Sequence, residues 1–184
     1  MIDRSDDEPP SPADLFRLPE DGPDDPRPIV RRLVDEDEQF RDLKAGEAVI
    51  MVVLRADAVV KGGKQVLGTM ALPRWQGSMG PMALWLLAKA CGGTVPDFIL
   101  TLDAGFWQDA SPHQREALVF HELMHAEHAQ DKDGEPRFDD DGRPVWGIRT
   151  HDLEEFNVVV ERFGAWKGDI QAFATSLARG GVLP

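Results

Sequence analysis

Two histidines four residues apart, His121 and His125, enclose Glu122 in the stretch HELMH. On an α-helix the side chains at i and i+4 lie on one face, so two imidazoles at this spacing can grip a single cation. Zinc (Zn2+) accepts neutral imidazole nitrogen, and a catalytic zinc takes three protein ligands while leaving a position for water. Glu122 points to the neighbouring side of the helix, where a carboxylate can take a proton from an attacking water and pass it to a leaving amine. That chemistry is peptide-bond hydrolysis. An isolated HExxH also arises by chance in helical proteins, so the surroundings have to supply a third ligand.

Three histidines remain: His113, His128 and His151. His128 falls seven residues after His121 and His113 eight before it, about two turns or roughly 10 Å along the axis of an unbroken helix, which is too far to share one ion with His121. The candidates left are His151 and the acids of HDLEEF: Asp152, Glu154 and Glu155. His151 is the preferred ligand and Glu155 the alternative. As i and i+4 partners they also allow Glu155 to accept the other ring N–H of a ligand histidine. Asp152 and Glu154 read as first-turn acids that complement a helix dipole.

The elements that must hold these groups are legible as patterns. Ser111, Pro112 and Gln114 match N-cap, N1 and N3 of a capping box, which starts a helix expected to run to Ala129 with the motif in its interior. Apolar spacing predicts a first helix from Ile29 to Leu43, and AVIMVVL (Ala48 to Leu54) a buried strand. Gly62 and Gly63 predict a turn before a second strand, Gln65 to Leu72, pairing back on the first. PMALWLLAKA (Pro81 to Ala90) reads as an apolar helix stopped by Gly92 and Gly93, with Trp85 in the core, and DFILTL (Asp97 to Leu102) as a third strand. The DG pair at Asp141 and Gly142 predicts a β-hairpin, and no internal repeat is apparent. Two helices should close the chain, His151 to Phe163 capped by Thr150, and Asp169 to Leu177. The fold class expected is α+β: a small zincin-like domain with a three-stranded sheet, a β-hairpin, the HExxH helix and further C-terminal helices.

Composition limits the alternatives. The 184 residues are 42% hydrophobic and 29% charged, as in an ordinary globular domain with a sizeable core. Cys91 is the single cysteine, so a metal must be held by histidines and carboxylates, and packing is its expected role. A formal net charge of -13 argues against direct binding of nucleic acid. No apolar run is long enough to span a membrane, and MIDRSDDEPP lacks the features of a signal peptide, so a cytoplasmic location is expected. Residues 1–28 hold seven of the fourteen prolines together with an acidic excess, which predicts a disordered acidic tail before a domain spanning 29–184.

HELMHAE followed by HDLEEF resembles the putative phage metallopeptidase domain family, itself similar to SprT-like zincins. The resemblance covers roughly Ala48 to Trp166. It implies a small zinc-dependent peptidase of phage or prophage origin acting on a protein or peptide, with His121, His125 and His151 as ligands and Glu122 as general base. One departure stands out: SprT-like chains place the third histidine four residues before an aromatic, and His151 stands five before Phe156. The chain also has no tyrosine to stabilise an oxyanion, which leaves Arg149, His128 or the metal for that task. Two rival readings stay open: an interaction protein with a structural zinc whose acidic surface binds a basic host protein, and a zinc hydrolase of non-peptide amides.

Overall fold

The computed structural model describes residues 12–151 and 155–179. In chain order the elements are α1 (Pro12–Leu15), β1 (Phe16–Arg17), α2 (Arg27–Glu36), a 3-10 turn (Glu38–Phe40), α3 (Arg41–Ala45), β2 (Ile50–Arg55), β3 (Val59–Lys61), β4 (Lys64–Val66), β5 (Gly68–Ala71), α4 (Gly80–Ala90), β6 (Phe98–Asp103), α5 (Ala104–Asp109), α6 (Pro112–Leu123), β7 (Ala126–His128), β8 (Trp146–Ile148), α7 (Asn157–Phe163) and α8 (Gly168–Arg179). The architecture is mixed α+β with several small sheets.

The main sheet has four strands rather than three, in the order β1-β2-β6-β5. β2 and β6 run parallel with Val52 opposite Leu100 and Leu54 opposite Leu102. Alternate residues share a sheet face, so these four, with Phe98 and Met70, form one apolar surface that joins Ala117, Val119 and Phe120 of α6 in a single core. The segment after Gly63 divides in a way the apolar pattern did not separate. Gly62 (φ 57°) and Gly63 (φ 79°) make a two-residue hairpin loop between β3 and β4, where two positive φ values in succession favour glycine. β5 then pairs antiparallel with β6 and not with β2, because β2 is already flanked by β1 and β6.

The boundary set by composition at residue 28 also moves. Residues 1–11 lie outside the described residues, but 12–28 are part of the fold. Phe16 pairs with Arg55 and Arg17 with Leu54. The Asp24 carbonyl accepts the Trp107 indole N–H at 2.6 Å, and the Asp24 carboxylate meets the Arg115 guanidinium at 2.6 Å. Pro26 is fully buried. Averaged over the window, the acids hide a few specific partners.

α6 starts as expected: Ser111 accepts the Gln114 N–H, and the Gln114 side chain accepts the Ser111 N–H at 2.9 Å. It ends at Leu123, so HELMH lies at the helix C-terminus and not in its interior. The carbonyl of His125 accepts the Arg149 N–H at 2.8 Å, and Ala126–His128 pairs with Trp146–Ile148. Cross-strand bonds have replaced the next helical turn.

Between β7 and β8 the sequence repeats an eight-residue unit, QDKDGEPR then FDDDGRPV, which is too short to register as a repeated domain. In the first, Asp131 Oδ1 accepts the N–H groups of Asp133 (2.8 Å) and Glu135 (3.0 Å); in the second, Asp139 Oδ1 accepts those of Asp141 (3.0 Å) and Arg143 (2.8 Å). The single expected hairpin is therefore two consecutive turns. Towards the C-terminus, α7 begins at Asn157 and not at His151, with Phe156 at its N-cap, so Thr150 does not cap it. Asp152 and Glu154, and the dipole role expected of them, lie outside the described residues.

Candidate metal centre

Every residue of α6 from Ala117 to Leu123 is buried, including His121 and Glu122. A helix with apolar residues on several faces at its end can carry polar groups into the interior only if each finds a partner. His121 finds Glu155: its Nδ1 hydrogen-bonds the carboxylate Oε1. His125 finds the Arg149 carbonyl, 2.7 Å from its Nδ1. Both acceptors hold the ring proton on Nδ1 and leave the Nε2 lone pairs free.

The third imidazole comes from the segment before α7. His151 Nε2 stands 3.1 Å from His121 Nε2, and one nitrogen from each of His121, His125 and His151 falls within 4.8 Å of the other two. Converging ring nitrogens repel when neither is protonated, and a cation placed among them reverses the sign of that interaction. Partial burial and the neighbouring His121 and His125 charges push the His151 pKa down to about 4, and burial lowers that of His125. Three imidazoles with converging ring nitrogens are the donor set that suits zinc, so these residues fit a divalent metal. The other histidines stay apart. His113 packs on Phe163, while His128 lies on β7 against Phe138 and Trp146, with its Nε2 2.7 Å from the Arg137 carbonyl.

Glu155 is held from several directions. Besides His121 it accepts the Phe156 N–H (3.0 Å) and the Trp166 indole N–H (3.2 Å), and the Lys167 ammonium stands 3.4 Å away. Burial alone would raise its pKa. The His121 hydrogen bond, with the His121 and Lys167 charges, outweighs burial and keeps the carboxyl below its ordinary range. Oε1 thus orients His121, while Oε2 is held by Trp166 and Lys167.

Glu122 behaves oppositely. Burial pushes its pKa up to about 7, offset only in part by the His121 and Lys167 charges and by the Met70 N–H. It faces β5, and a Cβ on Gly68 would come within 2.7 Å of its Oε1, so glycine there makes room for the carboxylate. The Leu67 carbonyl bonds the Asp103 N–H on the β6 side. Backbone groups of a strand alternate in direction, so the Met70 N–H that meets Glu122 points to the free edge of β5. β6 itself has neighbours on both sides and offers no edge to an extended peptide, whereas β5 ends the sheet among the described residues.

Gly68, Met70, Phe156, Trp166 and Lys167 escaped the sequence reading as neighbours of the site. Phe156 packs against all three imidazoles, with centroids 5.6, 5.1 and 5.4 Å from those of His121, His125 and His151. Its position in HDLEEF was the one available signal; nothing in the spacing of GAWKGD tied Trp166 and Lys167 to HELMH. Arg149, weighed as an oxyanion donor, places its guanidinium 5.1 Å over the Phe156 ring, and His128 faces the turn region instead.

A family described as Putative phage metallopeptidase matches residues 21–178 by its sequence model. No curated protein matches the chain, and no solved structure does.

Proposed function

The chain belongs to the Putative phage metallopeptidase family, and we propose that it is a zincin-like peptidase of phage or prophage origin, working in the cytoplasm of a bacterial host. His121, His125 and His151 hold zinc, and Glu122 is the general base. The observation that carries this reading is the position of Glu122, a buried carboxyl that faces β5 from the helix carrying two of three converging imidazoles. A zinc ion in that donor set supplies Lewis-acid polarisation of a carbonyl and lowers the pKa of a water to about 7.

The chain's own residues do the rest. Glu155 and the Arg149 carbonyl keep the ring protons of His121 and His125 on Nδ1, so both histidines present Nε2 to the metal. Glu122 accepts a proton from the attacking water and returns it to the leaving amine. A peptide in extended form adds to β5, where its backbone meets the outward N–H and C=O groups next to Glu122. Among the described residues no helix is long and apolar enough to cross a membrane.

The test is metal analysis with a peptide-library digest, comparing the wild type with Glu122→Gln. Equal zinc and abolished cleavage support the peptidase. Equal zinc and equal cleavage remove Glu122 from the mechanism. Zinc without any peptide cleavage by the wild type favours a structural metal in an interaction protein, or hydrolysis of a non-peptide amide.

A further inference from the structure

The acids of this chain are unevenly placed. Between Asp57 and Asp97 there is no Asp or Glu, while Lys61, Lys64, Arg74 and Lys89 are present, in a protein of formal charge -13. The same stretch exposes large apolar side chains: Trp75 (46% exposed), Met79 (59%), Met82 (47%), Trp85 (56%) and Leu86 (53%). Met79, Met82, Trp85 and Leu86 stand at i, i+3, i+6 and i+7, within about a third of the helix circumference, and form a stripe on and just before α4. Lys89 reaches over the Trp85 ring at 5.9 Å.

In the chain this stretch follows β5, the strand that faces Glu122. Trp75 is four residues past Ala71, the end of β5, and so within about 14 Å of it. α4 is seated there: Gly80 is buried against Trp75, whose carbonyl oxygen would lie 3.2 Å from a Cβ at that glycine. A peptide lying along the free edge of β5 and extending past Ala71 would therefore meet apolar side chains and basic groups, with no acid from this stretch.

We propose that the segment from Leu72 to Ala90 is a substrate-selecting surface that docks peptides whose apolar residues are flanked by acidic ones. The inference rests on the peptidase reading, since it takes its direction from β5 and Glu122. A peptide is favoured over a second copy, whose own basic stretch would face this one, and over a lipid surface, because the stretch follows in sequence on the β5 edge to which an extended peptide adds.

The test uses the full chain and two labelled peptides sharing one apolar sequence of Leu and Phe, flanked by Asp and Glu in one and by Lys in the other. Metal-free protein is used for binding by fluorescence anisotropy and zinc-loaded protein for cleavage. The acidic peptide should bind more tightly and show the lower KM. Met82→Ser with Trp85→Ser should raise that KM about tenfold or more with kcat little changed, the scale of losing two apolar anchors. Arg74→Glu with Lys89→Glu should reverse the preference between the peptides.

Equal KM for both peptides, or an unchanged KM in the serine variant, overturns the proposal and leaves the peptidase intact. A wild-type dimer that the serine pair converts to monomer with KM unchanged assigns the face to a second copy. Loss of binding to phosphatidylglycerol vesicles with KM unchanged assigns it to lipid. Preferential binding of the acidic peptide to metal-free protein, with no cleavage of either peptide on zinc addition, sinks the peptidase reading while the docking surface stands.

Discussion

α4 and α6 are close in length, 11 and 12 residues, and both carry proline in the first turn. Both are rich in apolar side chains, yet their fates differ. α6 buries seven consecutive residues, and α4 buries Gly80 alone. α6 is met by α2, α7 and β5, whereas α4 has no extensive contact with another described element and is bounded by the turns at Gly77 and at Gly92 and Gly93. Apolar composition states how strongly a surface prefers to leave water; whether it does so depends on which neighbours the topology brings. α6 has used its apolar faces to carry polar groups inside. α4 keeps its own for a partner.

The largest expected effect tests the polar end of α6. Glu122→Gln keeps the shape and the metal ligands but removes the proton acceptor, so turnover should fall about 10²- to 10⁴-fold, or roughly 3 to 5 kcal/mol of barrier. Peptide cleavage at matched zinc occupancy measures it. Next comes the apolar side of the same helix. Phe120 is fully buried, with ring centroids 5.0 Å from Phe40 and 5.4 Å from Phe163. Phe120→Ala should cost about 3 to 5 kcal/mol in urea unfolding.

What could be read in the sequence follows the same division. The capping box of α6, the AVIMVVL and DFILTL strands and the apolar helix before Gly92 were legible because local spacing and turn residues determine them. The spacing of His121 and His125 around Glu122 was legible for the same reason, and Glu155, weighed there as an acceptor for a ring N–H, does bond the His121 ring. The structure does bring those histidines together with His151. The end of α6 at Leu123 was not legible, since it depends on β7 finding β8 across two tight turns. Nor was the exposure of Trp85, which reads as core by composition, or the hold of Trp166 and Lys167 on Glu155. Each depends on contacts between residues distant in sequence.

A pH series separates the burial of Glu122 from its chemistry. In metal-free protein burial pushes its carboxyl up to about 7, from an ordinary 4.5. Between those values the folded state holds the proton and the unfolded state has lost it, so this group makes stability fall as pH rises through that window. Above pH 7 the fold carries the whole penalty of a buried carboxylate, about 3 kcal/mol. His125 and His151, with lowered pKa values, give the opposite slope. The difference between wild type and Glu122→Gln isolates Glu122: the variant should gain stability relative to wild type from pH 4.5 to 7 and hold that gain above. A constant difference across the window would show that Glu122 is solvated.

Zinc affinity should rank the two residues that reach His121 from the far side. His151→Ala removes a donor nitrogen, whereas Glu155→Ala removes only the acceptor that orients the His121 ring. The second loss is typically about 10- to 100-fold, and the first should exceed it. Competition with a chelator of known affinity measures both. If Glu155→Ala releases the metal and His151→Ala keeps it, Glu155 is the third ligand.

The smallest expected effect is the one that bears most on α4. Trp85 is larger than Phe120, so a rule of stability by size would make Trp85→Ser the more damaging change. The structure says otherwise: the indole is 56% exposed and its one described ring contact is the Lys89 ammonium at 5.9 Å. An exposed cation–π pair contributes about 0.5 to 1 kcal/mol, and a surface substitution elsewhere stays within about 0.5. The urea midpoint of Trp85→Ser should therefore move by no more than about 1 kcal/mol, while Phe120→Ala moves it several-fold further. A loss of 3 kcal/mol at Trp85 would mean that α4 packs on the body of the protein, which would leave no apolar surface for a peptide to dock on.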